Sequence, residues 1–204
     1  MAALEGGSLE SRVSTPVDPP PQMNPNTATD GGPDSVSNKE SDVLCVAGRK
    51  FRKTCFKDKE FQRQYLLFED QFVRSEGFEI DWDKFDYLFS CLDVAWSAPL
   101  DKDMTNEELV HSLTLHAIKM HNEENGANVE FVKHVKANFW CCAGHCFWIT
   151  FFARDLSSNS DPKLYQTKVW RFMGKIEVCI FRERPTDEEI ASVHVEINEY
   201  ECFK

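Results

Sequence analysis

No stretch of this chain stays apolar for the roughly 18 residues that a membrane-crossing helix requires, so no transmembrane span is expected. Its start, MAALEGGSLESR, lacks a basic segment followed by an apolar one; no secretory signal is read there, and a cytoplasmic or nuclear location is expected. Positive charge is in deficit. Lys and Arg total 23 against 34 Asp and Glu, a net charge of −11, which argues against a nucleic-acid partner or an anionic membrane surface. Glycine is sparse and scattered, with nine in all, and neither a phosphate-binding loop nor a dinucleotide fingerprint occurs. Paired Cys-x-x-Cys units are missing as well.

Aromatic residues, by contrast, are plentiful. Sixteen Phe and five Trp in 204 residues suffice for a real core in one domain with tails. The eight cysteines (Cys45, Cys55, Cys91, Cys141, Cys142, Cys146, Cys179 and Cys202) are even in number, as a secreted disulfide framework would be. The lack of a signal and the large apolar fraction favour free thiols in a reducing compartment instead.

Composition divides the chain. Residues 1–48 are taken as a disordered tail: most of the stretch is rich in Pro, Gly, Ser, Asn and Asp and short of apolar residues to bury. Residues 49–92 are taken as a basic linker followed by an aromatic-striped helix. The run RKFRKTCFKDK (49–59) is either an import or docking signal or a solvated linker. Phe61, Tyr65, Phe68 and Phe72 then recur at helical spacing within 57–76, and Gly77 stands where a C-cap glycine would. That stripe is packing surface, against the rest of the chain or against a second chain by self-association. Residues 78–100 are read as a lead-in with one short strand; the domain boundary is placed within it, and the main domain is set at 93–204.

In that domain Thr105 and Glu108 have the spacing of a capping box. Leu109, Leu113, Ala117 and Met120 continue at helical period until Asn125-Gly126. Strands are expected over 128–141, 145–156, 163–172, 175–184 and 192–202, with a tight turn at Ala143-Gly144. One helix followed by a meander predicts an α+β fold: a helix across an antiparallel sheet of four to five strands, with an extra N-terminal helix and a tail.

The cluster Cys141, Cys142, His145 and Cys146 invites a metal or a thiol catalyst. Neither is favoured. The spacing is not that of a zinc site, alternation sends Cys141 and Cys142 to opposite faces, and no base is identified for a nucleophile. A redox-sensitive thiol at the turn and idle thiols both remain. Asp187-Glu188-Glu189 is read as a solvated turn. No catalytic residue, metal or cofactor is expected, and the chain is not expected to be an enzyme.

Several segments resemble the plant cystatins. Leu113, Ala117, His121 and Asn122 match the family's helix pattern L-A-R-F-A-V-x-x-H/Y-N, with Ile118 in place of Val. Asn125 to Phe131, His134-Val135-Lys136-Ala137, and Leu164-Tyr165-Gln166-Thr167-Lys168-Val169-Trp170 match three further segments in order. The resemblance covers about 105–172. It implies a protein partner, a papain-class cysteine protease, inhibited reversibly by a wedge of three pieces. These are an N-terminal segment with a glycine, a first hairpin loop Q-x-V-x-G, and a second loop with Pro-Trp. Here the first loop reads Trp140-Cys141-Cys142-Ala143-Gly144; the glycine stays, but Trp replaces Gln and Cys replaces Val. The second offers Phe172 and Met173 without the Pro-Trp pair, and no glycine lies between Gly77 and Gly126. The alternative expectation is an interaction protein that keeps this fold without inhibiting.

Overall fold

The structure, a computed structural model, describes residues 43–46, 49–98, 104–158 and 160–197. Of the expected tail at 1–48, residues 1–42, 47 and 48 lie outside the described residues, as do the strand residues 198–202, whereas 43–46 form a strand. The fold is α+β. A five-stranded antiparallel sheet runs in the order β3 (Leu92–Asp93), β4 (Val129–Cys142), β5 (Gly144–Asp155), β6 (Lys163–Phe172), β7 (Lys175–Glu183). A separate hairpin, β1 (Val43–Val46) with β2 (Arg49–Arg52), precedes helix α1 (Lys59–Arg74). Helix α2 (Asn106–Asn125) follows β3, and a short α3 (Asp187–Ser192) follows β7.

Helix α2 forms where its signals stand. Thr105 and Glu108 make the reciprocal capping box, and Gly126 ends the helix in the left-handed region at φ 60°. Leu109, Val110, Leu113, Ala117 and Ile118 point into the sheet and meet Phe147, Ile149, Phe151 and Ala153 of β5. Asn122 fixes the start of β4, since its amide donates to the Val129 carbonyl and accepts from the Val129 N–H, both at 2.9 Å.

The opposite sheet face is covered too. Alternate residues Cys146 and Trp148 of β5 enter a second core with Phe68 of α1 and with Phe78, Ile80, Trp82, Phe85 and Cys91 of the lead-in. The aromatic stripe of α1 is therefore occupied within the chain. Phe61 and Phe68 are 3% and 1% exposed, and Phe68 stacks on Phe89 at 4.8 Å. Residues on either side of position 92 thus share one core.

Polar groups lock this layer down. Buried Asn138 accepts from the Trp82 indole at 2.9 Å and donates to the Gly77 carbonyl at 2.7 Å. Glu79 is paired with Lys136 and, at 3.0 Å, with Arg184. Burial works to raise its carboxyl, but the two cations outweigh that and hold it below the ordinary carboxylate range.

Three local expectations change. Helix α1 does close beside Gly77, but the left-handed stretch begins one residue earlier, at Glu76 with φ 54°, and continues through Gly77 at φ 89°, whose N–H donates back to the Phe72 carbonyl. Gly77 is needed for its φ and for space, because a Cβ there would stand 2.8 Å from the Trp148 ring. Asp187-Glu188-Glu189 is the first turn of α3, capped by Thr186, rather than a turn between elements. Residues 193–197 form no strand, and the fifth strand is β3, drawn from the lead-in. Among the described residues no helix is long and apolar enough to cross a membrane.

Candidate functional site

Two hairpins end side by side. In the first, Cys142 pairs with Gly144, so Trp140, Cys141 and Cys142 are strand residues and Ala143 alone forms the bend. In the second, Phe172 pairs with Lys175 across a two-residue turn, Met173-Gly174. The β5–β6 register sets His145 against Arg171 and Cys146 against Trp170, which brings both turns to the same end of the sheet.

The turns touch. Gly144 has φ 114°, and a Cβ there would lie 2.7 Å from the Arg171 carbonyl oxygen, 2.8 Å from the Trp170 indole nitrogen and 3.2 Å from Phe172 Cβ. Only a glycine allows both that backbone angle and that approach. Met173 and Gly174 have φ 48° and 76°, the positive pair of a type I′ turn, which suits the twist of a hairpin. The first of these positions favours Asn or Asp; methionine holds it at a strain of about 1–2 kcal/mol.

Side chains above the turns form an aromatic ridge on the α1 face. Trp170 and Phe172 stack at 5.5 Å with planes 7° apart. Trp140 stacks on Trp148 at 6.5 Å and 16°. Trp148 is held from behind by Phe72 of α1, 5.5 Å away, and carries the Lys168 ammonium 5.3 Å above its ring. Trp140 and Phe172 are each 38% exposed, and Met173 is 86% exposed. The site is thus apolar, solvent-facing and braced by the layer beneath it.

The segment that enters β3 runs toward this same end, because Leu92 pairs with Phe139 and the strands are antiparallel. It is not a free arm. Cys91 is fully buried, which pushes its thiol up to about 12, and Phe89 lies on Phe68. The Cys141–Cys146 cluster is not gathered either. Cys141 is exposed, Cys146 is in the second core, and His145 packs 5.4 Å from Phe139. Among the described residues no group of three metal-ligating side chains forms, and the six cysteines whose side chains are described are free.

The named residues of both turns therefore come together, while Trp170, Lys168 and Arg171 join them without having been singled out. Their signal was the Trp170–Phe172 spacing: two aromatics two apart on one strand face, directly before a Met-Gly turn.

No family model matches this chain. Over 65 residues it is 32% identical to a multicystatin of Solanum tuberosum. That match takes in 32% of this chain and 8% of the relative, so the chain spans a small fraction of the protein it resembles. The α+β arrangement, one helix across a five-stranded antiparallel sheet, is consistent with a cystatin-like fold.

Proposed function

We propose that the chain is a protein-binding domain that works through the paired hairpin ends, and that its partner is a papain-class cysteine protease held reversibly. The observation that carries this reading is Met173. It is a large apolar side chain, 86% exposed, in a backbone conformation that another residue would fill at less strain. Strain and exposure at one position mark a residue kept for contact rather than for folding. Phe172 and Trp140 widen the apolar surface, and Gly144 lets the two turns close on each other. In this reading residues 93–204 carry the contact edge and 49–92 the layer that braces it. The contact involves no catalysis by this chain and no cofactor or metal.

The name multicystatin, borne by the matched relative, supports the choice of protease class. A second reading, a binding protein that keeps this fold without inhibiting, is favoured by one feature. The segment before β3, which resemblance would make the third piece of the wedge, is bound into the core at Phe89 and Cys91. A three-piece wedge with Kd near 1 nM has about −12 kcal/mol of binding free energy. Losing one piece and altering contacts in the others, at about 4 kcal/mol together, leaves a Kd near 1 μM.

The deciding experiment titrates the full chain against papain and follows residual peptidase activity. Competitive, reversible inhibition in the micromolar range or tighter upholds the protease reading. No inhibition at about 100 μM, against papain and a panel of its relatives, refutes it and leaves the non-inhibitory reading.

A further inference from the structure

The contact edge differs in charge from the chain that carries it. The chain as a whole holds 34 acids against 23 bases. Yet no Asp or Glu occurs between Glu130 and Asp155, the whole of the first hairpin beyond its base, where Lys133, Lys136 and Arg154 are found. Between Lys163 and Arg182 the only acid is Glu177, against Lys168, Arg171 and Lys175 within that span.

Pairing adds to the contrast. Toward the base of the same two strands cations are matched, Lys163 by Glu183 and Arg182 by Glu76. Lys168, Arg171 and Lys175 form no ion pair among the described residues; Lys168 lies over an indole instead. Lys168 shares the ridge's strand face and Lys175 stands opposite Phe172, while Arg171, between Trp170 and Phe172, alternates to the other face at the same end of the sheet. In a chain of net charge −11, unneutralised cations beside exposed apolar groups give the edge a local field opposite to the molecule's own.

We infer that this edge recognises an apolar surface rimmed by carboxylates. The inference rests on the proposed role of the edge in protein binding, and in that role the rim is that of the protease cleft. The apolar ridge supplies the contact and the three cations supply orientation. A partner approaching the acidic remainder of the chain is repelled, and one approaching the edge is drawn in.

The test uses the full chain and two synthetic peptides, Glu-Asp-Leu-Phe-Asp-Glu and Lys-Lys-Leu-Phe-Lys-Lys, titrated by tryptophan fluorescence at 25 mM and 500 mM NaCl. The acidic peptide is expected to bind at least about ten-fold more tightly at low salt, with the preference lost at high salt. R171E/K175E is expected to abolish the preference and R171Q/K175Q to halve it on a logarithmic scale, with melting temperatures recorded to show that both variants fold. K50E/K53E, in the basic run at and just after the separate hairpin, is expected to leave it intact. Equal binding of the two peptides overturns the inference. So does a preference that survives R171E/K175E, or one that disappears in K50E/K53E. Failure of the papain assay with a retained peptide preference removes the protease reading alone.

Discussion

Replacing Met173 by Asn separates what the turn needs from what the surface offers. The residue has φ 48° and is followed by Gly174 at φ 76°, so the turn is of the type for which Asn-Gly is the preferred pair. A residue with a Cβ suffers about 1–2 kcal/mol in this region, because the Cβ crowds the following carbonyl oxygen; Asn recovers much of that through local hydrogen bonds of its short amide. Met173 is 86% exposed, so little burial is forfeited. The net expectation is a gain of about 1 kcal/mol, seen as a rise in Tm of about 2–4 °C for a chain of this size. Urea unfolding of the full chain, followed by tryptophan emission, gives the same quantity as a shifted midpoint with unchanged slope. Binding moves the other way. Loss of the thioether at the end of the ridge is expected to weaken partner affinity about ten-fold, or about 1.4 kcal/mol. A variant that is stabilised and binds as before shows that the strain serves nothing at the surface. A variant that is destabilised shows that the Met173-Gly174 turn is not strained as described.

Gly144→Ala is expected to cost about 2–4 kcal/mol, because φ 114° and a Cβ 2.7 Å from the Arg171 carbonyl cannot be met together; a cost under about 0.5 kcal/mol in urea unfolding refutes the contact between the turns. Glu79→Gln leaves Lys136 and Arg184 without their shared carboxylate and is expected to destabilise by about 1–3 kcal/mol at pH 7. Because the Glu79 carboxyl is held low in the fold, its contribution is present above the ordinary carboxylate pKa and fades as pH falls through the depressed value, so the variant and the native chain should converge in stability in acid. His134 behaves with the opposite chemistry and the same direction: burial, and then His111, lower it from 6.5 to about 4, so the folded state keeps it neutral where the unfolded chain takes a proton. Its contribution is complete above pH 6.5 and is lost between there and pH 4, and His134→Phe should flatten the stability profile over that window; an unchanged profile counts against the buried site.

Much of the fold is legible because local and tertiary signals agree there. Thr105, Glu108 and Gly126 bound α2 by chemistry that acts within one turn, and they stand in the structure as spaced in the sequence. The hairpins from 129 to 183 are likewise marked by turn residues and alternation. The layer on the other face was not legible from α1 alone, since an aromatic stripe fits a partner as well as a core. A signal did exist in β5. Cys146 to Ala153 reads CFWITFFA, apolar at nearly every position, and a strand is apolar at both parities only when both its faces are covered. The segment 193–197 misled for the reverse reason. Val193, Val195 and Ile197 alternate as a strand would, but period two is only permission to pair, and the described chain there makes no ladder.

The same two-sided burial bears on the site. A sheet open on one face can flex, and a hairpin end carried by it inherits that freedom. Here Trp148 is gripped between Gly77 and Phe72 behind and Trp140 and Lys168 beside it, so the ridge is joined through one indole to α1. In the proposed binding role, order in Trp140 is supplied by folding rather than drawn from association, which lowers its entropic cost. In that role it compensates in part for the segment before β3, whose residues lie in the core and are not offered for contact. An edge of this kind gives up reach and gains rigidity. It suits a partner whose apolar cleft is already shaped, and it disfavours one that must be wrapped.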